Sequence, residues 1–378
     1  MTEWLRHTEA TYARLPEDLL ADLLADTPNI TRQVTDLLIP AFEQRHQLRA
    51  AAQDLDLLRQ SQPSRTDTVC AVDGGFAVER TVAVDIVMAV AVGIEGFAEG
   101  PCAWEDNQFD SFHCVLVHDV DNERLARAAM IAHELHVLAD APHQVRIYDG
   151  SHLTPIIQLN SGFSSLSENV SMGAVDVADE VDLASALEAF VNEPGSIAMP
   201  KYDSSTDLAQ QLGEAIGAHI PGDDKYVTSL ILEPGEYTAP QAVPADPWRQ
   251  LHLAARRGST AAATGKVVLY DELIDPLRRR QLFYLYWRPH LSSPSYRIEI
   301  KPDLARNDAA LNLVLATLAN QITGPFVREP YPQYLADVMA KSVGLGLSAL
   351  QAAAHLQVNR AHPELAEFLI HSYRTEGI

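Results

Sequence analysis

The sequence predicts an α/β protein on a mixed sheet, its core elements in the order β-β-β-α-β. Three observations carry this. First, the apolar, β-rich run Thr68-Val69-Cys70-Ala71-Val72 stops at Asp73-Gly74-Gly75. Second, two more β-rich runs follow, at residues 81–94 and 113–118. Third, residues 121–139 carry Leu125, Ala129, Ala132 and Leu135 on one helical stripe and lead to a run at 144–148 that ends at Asp149-Gly150-Ser151. Three meandering strands followed by a crossover helix give a mixed sheet.

Residues 1–62 read as a helical segment. Leu19, Leu20, Leu23 and Leu24 follow Pro16-Glu17-Asp18 at helical spacing. Asn29 or Thr31 can cap a second helix with Val34, Leu37, Leu38 and Phe42. The polar stretch 60–67, with Pro63, is a linker. A main domain is expected over 67–345, with an acidic insertion around 160–247. That insertion carries helices near 182–190 and 206–218, and a strand at 226–232. Residues 282–287 and 296–300 predict a hairpin, and 304–323 and 333–356 predict helices. Residues 346–378 form a C-terminal helical extension. The most apolar stretch, 81–98, contains Asp85 and Glu95 and alternates, so it reads as a strand and not as a membrane span.

The 378 residues carry 28 Lys+Arg and 51 Asp+Glu, a formal net charge of −23. That acidity argues against a polyanion-binding protein until its distribution is examined. Residues 147–248 hold 16 acids and only Lys201 and Lys225 as bases. Residues 249–306 hold nine Arg and two Lys against five acids. Arginine's planar fork suits phosphate. Cys70, Cys102 and Cys114 lack zinc or disulfide spacing. The start, Met1-Thr2-Glu3-Trp4, shows no secretory pattern, so a cytoplasmic protein is expected.

Parallel neighbouring strands would set Asp73 beside Asp149. Two close carboxylates repel, and a divalent cation with a preference for oxygen ligands relieves the repulsion. Mn²⁺ or Mg²⁺ is therefore expected, with Asp73 shared between two ions about 3.5–4 Å apart. A third carboxylate should come from the crossover helix. Glu123 and Glu134 are 11 residues apart there and share a face. Glu134 is favoured, because Glu123 has a role as a first-turn acid near the helix dipole. Both stay open as metal ligands. His133-Glu134-Leu135-His136 lacks the spacing of a zinc hydrolase helix. No Gly-x-Ser-x-Gly elbow surrounds Ser151, and no phosphate-binding loop of the Gly-Lys-Ser/Thr type occurs.

Asp73-Gly74-Gly75 after a β-run, and Arg146-Ile147-Tyr148-Asp149-Gly150-Ser151, resemble the motifs of the NurA nuclease family. The resemblance runs from about residue 67 to 345. It includes Pro200-Lys201, where the family has a basic residue, and Tyr331-Pro332 before a late helix. It implies an RNase H-like fold and metal-dependent hydrolysis of DNA, on single strands and at duplex ends. It also implies a HerA-like hexameric ATPase as partner, a homodimer, and a role in DNA repair or antiviral defence. The family's first motif reads Asp-Gly-Ser, and its helix Glu falls near Met130 of this chain. The implied catalytic set is Asp73, Glu134, Asp149, Lys201, Tyr331 and Asp337. Arg278, Arg279, Arg280 and Arg288 are the expected DNA-backbone contacts. An alternative reading is a catalytically weak or inactive subunit that docks on the motor and regulates it. A third is an RNA-directed hydrolase on the same scaffold.

Overall fold

Alternating small and apolar residues between Val69 and Glu95 build the centre of a sheet that helices cover on both faces. The computed structural model describes residues 17–98, 102–104, 108–244, 253–256, 267–279, 282–324 and 327–370. Helices α1 (Glu17–Ala25), α2 (Thr27–Glu43) and α3 (Arg45–Asp54) precede strands β1 (Leu58–Gln60), β2 (Val69–Arg80), β3 (Asp85–Glu95) and β4 (Phe109–Leu116). Next come α4 (Asn122–Asp140), β5 (Val145–Tyr148), α5 (Leu153–Phe163), α6 (Glu168–Glu180), α7 (Leu183–Asn192) and β6 (Ser196–Ala198). Then follow α8 (Asp207–Ile216), α9 (Asp224–Ile231), β7 (Glu236–Thr238), β8 (Gln241–Ala242), β9 (Ala254–Arg256) and β10 (Val267–Leu269). The chain continues with α10 (Asp271–Arg279), β11 (Phe283–Arg288), β12 (Tyr296–Ile300), α11 (Pro302–Ala305) and α12 (Asp308–Ala319). The last elements are α13 (Tyr331–Ala340), α14 (Val343–Ala361) and α15 (Pro363–Ile370).

The chain forms two compact units. One gathers the described residues up to Asp56 with Ser204–Ile231, and the other gathers the described residues of 57–203 with those from Leu232 to Ile370. In the first, α3 buries Leu48, Ala51 and Ala52, and packs on α8 and α9. The buried Asp224 carboxylate accepts the Ala209 N–H at 2.8 Å and ties α9 to the first turn of α8. Residues 226–232, expected as a strand, lie mostly in α9. Tyr226, Val227 and Thr228 are β-rich by composition, but Val227 and Ile231 are buried one helical turn apart, and burial overrides propensity.

In the second unit the strand order is β1-β7-β11-β12-β6-β5-β2-β3-β4, with β8 paired to β11. The pairs β2–β5 and β5–β6 are parallel, and the remaining pairs are antiparallel. The expected β-β-β-α-β order is β2-β3-β4-α4-β5. The sheet is mixed because the first three strands meander while α4 crosses back to lay β5 parallel to β2. Even positions of β2 face α4: Val72 joins a core with Ala89, Ala91 and residues of α4 to α7. Odd positions face the other way: Val69 and Ala71 join Val145, Ile147, Ile197 and α12. Helix α4 is buried nearly all round, with the sheet on one side and α5, α6 and α7 on the other. Among the described residues no helix is long and apolar enough to cross a membrane.

Gly75 shows how tightly α13 and α14 lie on β2. A Cβ there would overlap the Ala340 carbonyl oxygen and stand 3.1 Å from Val343 Cγ1. Backbone cannot rotate away as a side-chain end can. Gly75→Ala should therefore destabilise the protein by about 1–3 kcal/mol, read as a lower urea midpoint. An unchanged midpoint would show that α13 has room to move.

Candidate functional site

Strand register alone sets Asp73 beside Asp149. Val72 lies opposite Tyr148 in the parallel pair, so the next residue on each chain is an aspartate. Strand β5 ends there, whereas β2 runs on through Gly74 and Gly75 to Arg80, paired with β3 throughout. Asp73 is thus mid-strand, and not at the strand end that Asp-Gly-Gly suggested. The cleft opens because its parallel neighbour stops. After Asp149 the chain turns through Gly150, whose φ of +145° suits only glycine. Glu299 on β12 holds that turn from behind. It accepts the His152 N–H at 2.9 Å, and Arg297 pairs with it at 3.1 Å.

Asp337 enters from α13, on the face that the odd positions of β2 present. One carboxylate oxygen from each of Asp73, Asp149 and Asp337 lies within 4.8 Å of the others. Lys201 follows β6, where the Met199 N–H bonds the Tyr148 carbonyl at 3.0 Å. Its Nζ stands 2.6 Å from Asp149, 2.8 Å from Asp337, 3.4 Å from Glu329 and 3.9 Å from Asp73. The ammonium is the counter-ion of the cluster. Gln333 Nε2 donates to Asp149 at 2.9 Å and to the Met199 carbonyl at 3.1 Å, and its own Oε1 is buried without a partner.

Burial, then the negative charge of Asp149, pushes the Asp73 carboxyl up to about 8, against the opposing pull of Lys201 and the Gly74 N–H. Burial opposes the charge on Lys201, yet Asp149 and the hydrogen bonds to Asp149 and Asp337 hold it above the usual lysine range. Burial also works to raise Asp337, but hydrogen bonds from Lys201 and Lys341 keep it below the ordinary carboxylate value. The donor set is that of a hard cation. Oxygen ligands at about 2.0–2.1 Å from one ion put opposing oxygens roughly 4 Å apart, which the cluster accommodates.

Glu134 lies one layer deeper. Its carboxylate fills the space a Cβ at Gly74 would take, next to Met130 one turn earlier on α4. Burial, then the charge of Asp73, holds Glu134 well above the usual carboxylate range, although the Tyr148 hydroxyl donates to it. Glu123 is at the other end of α4, exposed and paired with Arg80 at 3.4 Å. Tyr331 opens α13 with its ring stacked on Phe97, centroids 4.6 Å apart. Arg288 donates to the carbonyls of Leu232, Leu291 and Ser293, and thereby holds the β11–β12 connection. Arg279, exposed, pairs with Asp275 at 2.6 Å on a helix that buries Ile274 and Leu277. The side chain of Arg278 and all of Arg280 lie outside the described residues. His133, His143 and His152 each face a separate carboxylate, Asp110, Glu95 and Glu299, and share no centre.

Sequence reasoning missed Glu329, Gln333 and Tyr148. A signal existed for one of them. Gln333, Asp337 and Lys341 recur every four residues, a polar stripe on a helix whose Ala336 and Ala340 are buried. The Lys341 ammonium reaches Asp337 at 2.6 Å along that stripe.

Asp73 keeps its proton in the folded chain where the unfolded chain, at 3.8, has lost it. A raised acid makes stability fall as pH rises between the two values. The metal-free protein should therefore lose stability from about pH 4 to about pH 8, and Mn²⁺ binding should release protons in that window. Urea titrations across the window test this. Asp73→Asn should flatten the slope, and an identical slope in that variant would contradict the assignment.

No family model and no curated protein matches the sequence. Solved structures do match. The NurA nuclease from Sulfolobus solfataricus superposes with a TM-score of 0.55 at 14% identity, over 90% of this chain and 98% of that one. A structure of NurA bound to dAMP and manganese aligns with a TM-score of 0.49 at 11% identity, over 83% of this chain and 92% of that one. At this identity the likeness establishes architecture, and this chain has the mixed α/β fold of the NurA nuclease.

Proposed function

We propose that the chain is a metal-dependent DNA nuclease that hydrolyses phosphodiester bonds in single strands and at duplex ends. One observation carries the reading: on a NurA-like fold, Asp73, Asp149 and Asp337 converge within a single ion's reach, with Lys201 among them. Three distant segments hold mutually repelling charges together, an arrangement that favours a cation-dependent site over a merely structural one.

Asp73, Asp149 and Asp337 would hold Mn²⁺ or Mg²⁺, and two ions are proposed there. A divalent ion there supplies positive charge to a phosphate and lowers the pKa of a water. Lys201, whose ammonium stands among these acids, would supply positive charge to the scissile phosphate. Gln333 orients Asp149 through its amide. Glu134, under Gly74 and bonded by Tyr148, supports the floor on which Asp73 stands. The net charge of −23 makes free-protein affinity for DNA weak and salt-sensitive. A HerA-like hexameric ATPase, as partner of a homodimer, is proposed to deliver the strand. Apolar side chains exposed on α1 and α2, among them Leu23, Leu24, Val34, Leu37 and Phe42, support a protein contact there.

The decisive test is digestion of linear DNA with Mn²⁺. Asp73→Ala, Asp149→Ala and Asp337→Ala should each lower it by more than about 100-fold. Full activity in any two of them would sink the reading. Lys201→Ala should lose about 100-fold in rate while binding Mn²⁺ more tightly by calorimetry, since the competing ammonium is gone. Wild-type protein that binds no Mn²⁺ would point instead to a non-catalytic subunit docked on the motor. Preference for single-stranded RNA over DNA would reassign the substrate.

A further inference from the structure

The sheet of the second unit has two edges, and they are built differently. β1 closes one end with three residues, a length too short to template another strand. β4 closes the other end with eight. Among the described residues no strand pairs with its outer side. It holds no proline, lysine or arginine. Its register with β3 runs from Leu116 opposite Asp85 to Phe109 opposite Val92 without a bulge. Its one carboxylate, Asp110, turns toward α4 and pairs there with His133 at 2.6 Å. Short length, proline, lysine and bulges keep an exposed edge from pairing, and β4 has none of them.

Register fixes which backbone groups this edge presents. The Gly93 N–H donates to the Gln108 carbonyl, one step along from the opposed residues Val92 and Phe109. Gly93 and Gln108 are therefore a hydrogen-bonded pair, and such pairs alternate along an antiparallel ladder. Asp110, Phe112 and Cys114 direct their N–H and C=O groups to β3. Phe109, Ser111, His113 and Val115 direct theirs outward. The side chains of these same four residues are exposed, Phe109 at 60% and Val115 at 62%. Phe112 and Cys114 face the other way and pack against the core beside α4. Next to the exposed row lies an apolar groove of about 620 Å³, floored by Met88, Val90 and Val92 and walled by Phe109, Met339 and Val343.

We propose that β4 pairs with β4 of a second copy of this chain, antiparallel about a two-fold axis at Phe112, so that one sheet runs through both copies. The outward row reads Phe-Ser-His-Val, apolar at both ends and polar between. An axis at Phe112 sets Phe109 opposite Val115 of the second copy, and Ser111 opposite His113 of the second copy. Apolar side chains then meet apolar ones, and polar meet polar. The hydrogen-bond phase agrees as well. Outward residues oppose outward residues, so each such pair exchanges both N–H···O bonds. Axes at Ser111 or at His113 keep that phase but set Phe109 against His113, or Ser111 against Val115. A two-fold contact demands a surface complementary to itself, and this row is one. Phe109 is also the outer wall of the groove, so Val115 of the second copy adds apolar surface there. The pairing gives the homodimer proposed above its face, and it does not depend on the nuclease reading.

Sedimentation velocity and disulfide trapping on the full chain test the proposal. The wild-type protein should sediment as a dimer at micromolar concentration. Ser111→Pro removes an outward N–H that β3 does not use, so the variant should keep its melting temperature. It should raise the dimer dissociation constant by about tenfold or more, because the two-fold makes one substitution remove two hydrogen bonds. Residues 110 and 114 of opposite copies are directly opposed in this register, with Cβ atoms about 4.5–5.5 Å apart. Within one chain they are four strand residues apart, about 13 Å. Asp110→Cys with Cys102→Ser should therefore oxidise to a covalent dimer, its 110–114 disulfide identified by peptide mass mapping. A wild-type monomer would overturn the pairing and the homodimer with it, and is the result expected if the edge serves some other polypeptide. A dimer that Ser111→Pro leaves unweakened, or that forms no 110–114 disulfide, would overturn the pairing alone. Failure of the nuclease reading is distinguishable, since neither measurement involves DNA.

Discussion

Carboxylates at Asp73, Asp149 and Asp337 repel one another, and the fold must hold them together against that repulsion. It does so by taking each from a separately anchored element. Asp73 is pinned within a long paired strand, Asp149 at the stop of a short parallel one, and Asp337 on a helix pressed against the sheet. Lys201 supplies compensating charge at 2.6 Å from Asp149 and 2.8 Å from Asp337. It stands among four acids when Glu329 is included, with Lys341 pairing one of them, Asp337, from outside. Burial, and after it the charge of Asp149, pushes the Asp73 carboxyl up. A site left short of positive charge in this way is prepared for a divalent ion without being forced apart while it waits.

Behind this front, a second buried network holds the frame. Arg297 lies between Asp203 and Glu299 and over the ring of Tyr284, and Glu299 also accepts the His152 N–H. Burial works to raise Glu299, but His152 and Arg297 keep it below the usual carboxylate range. The charged residues of this network fasten the turn that carries Asp149 to the antiparallel half of the sheet. A buried ion pair contributes little net stability over an apolar one, but breaking half of it is costly. Its value here is geometric.

Much of this was legible in local sequence, for identifiable reasons. Asp73 and Asp149 stand out because each follows a β-rich run and precedes glycine, signals that need only a few neighbouring residues. The β-β-β-α-β order was legible because Leu125, Ala129, Ala132 and Leu135 recur at helical spacing between apolar strands. Asp337 and Lys201 came only through the family resemblance; nothing near Lys201 marks it, and the stripe of Gln333, Asp337 and Lys341 shows a polar helix face without naming a ligand. Glu329, just before α13, joins the cluster through tertiary packing, which no local pattern encodes. The same limit applies to Arg288. Its position in an Arg-rich segment suggested phosphate, but three backbone carbonyls already claim its guanidinium. Segment 226–232 misled in the opposite direction, with strand-like composition folded as a helix.

Gly74 and Gly75 form a stretch of β2 with no side chain on either face. Glu134 occupies one of the vacated spaces and the Ala340 carbonyl the other. The third residue of the Asp-Gly-Gly motif is therefore set by how closely a helix far along the chain approaches, and not by the chemistry at Asp73. In descendants of this sequence, a serine at position 75 becomes tolerable only when the backbone around position 340 retreats. The residue that position 75 can carry and the path of the backbone at position 340 are therefore a single constraint.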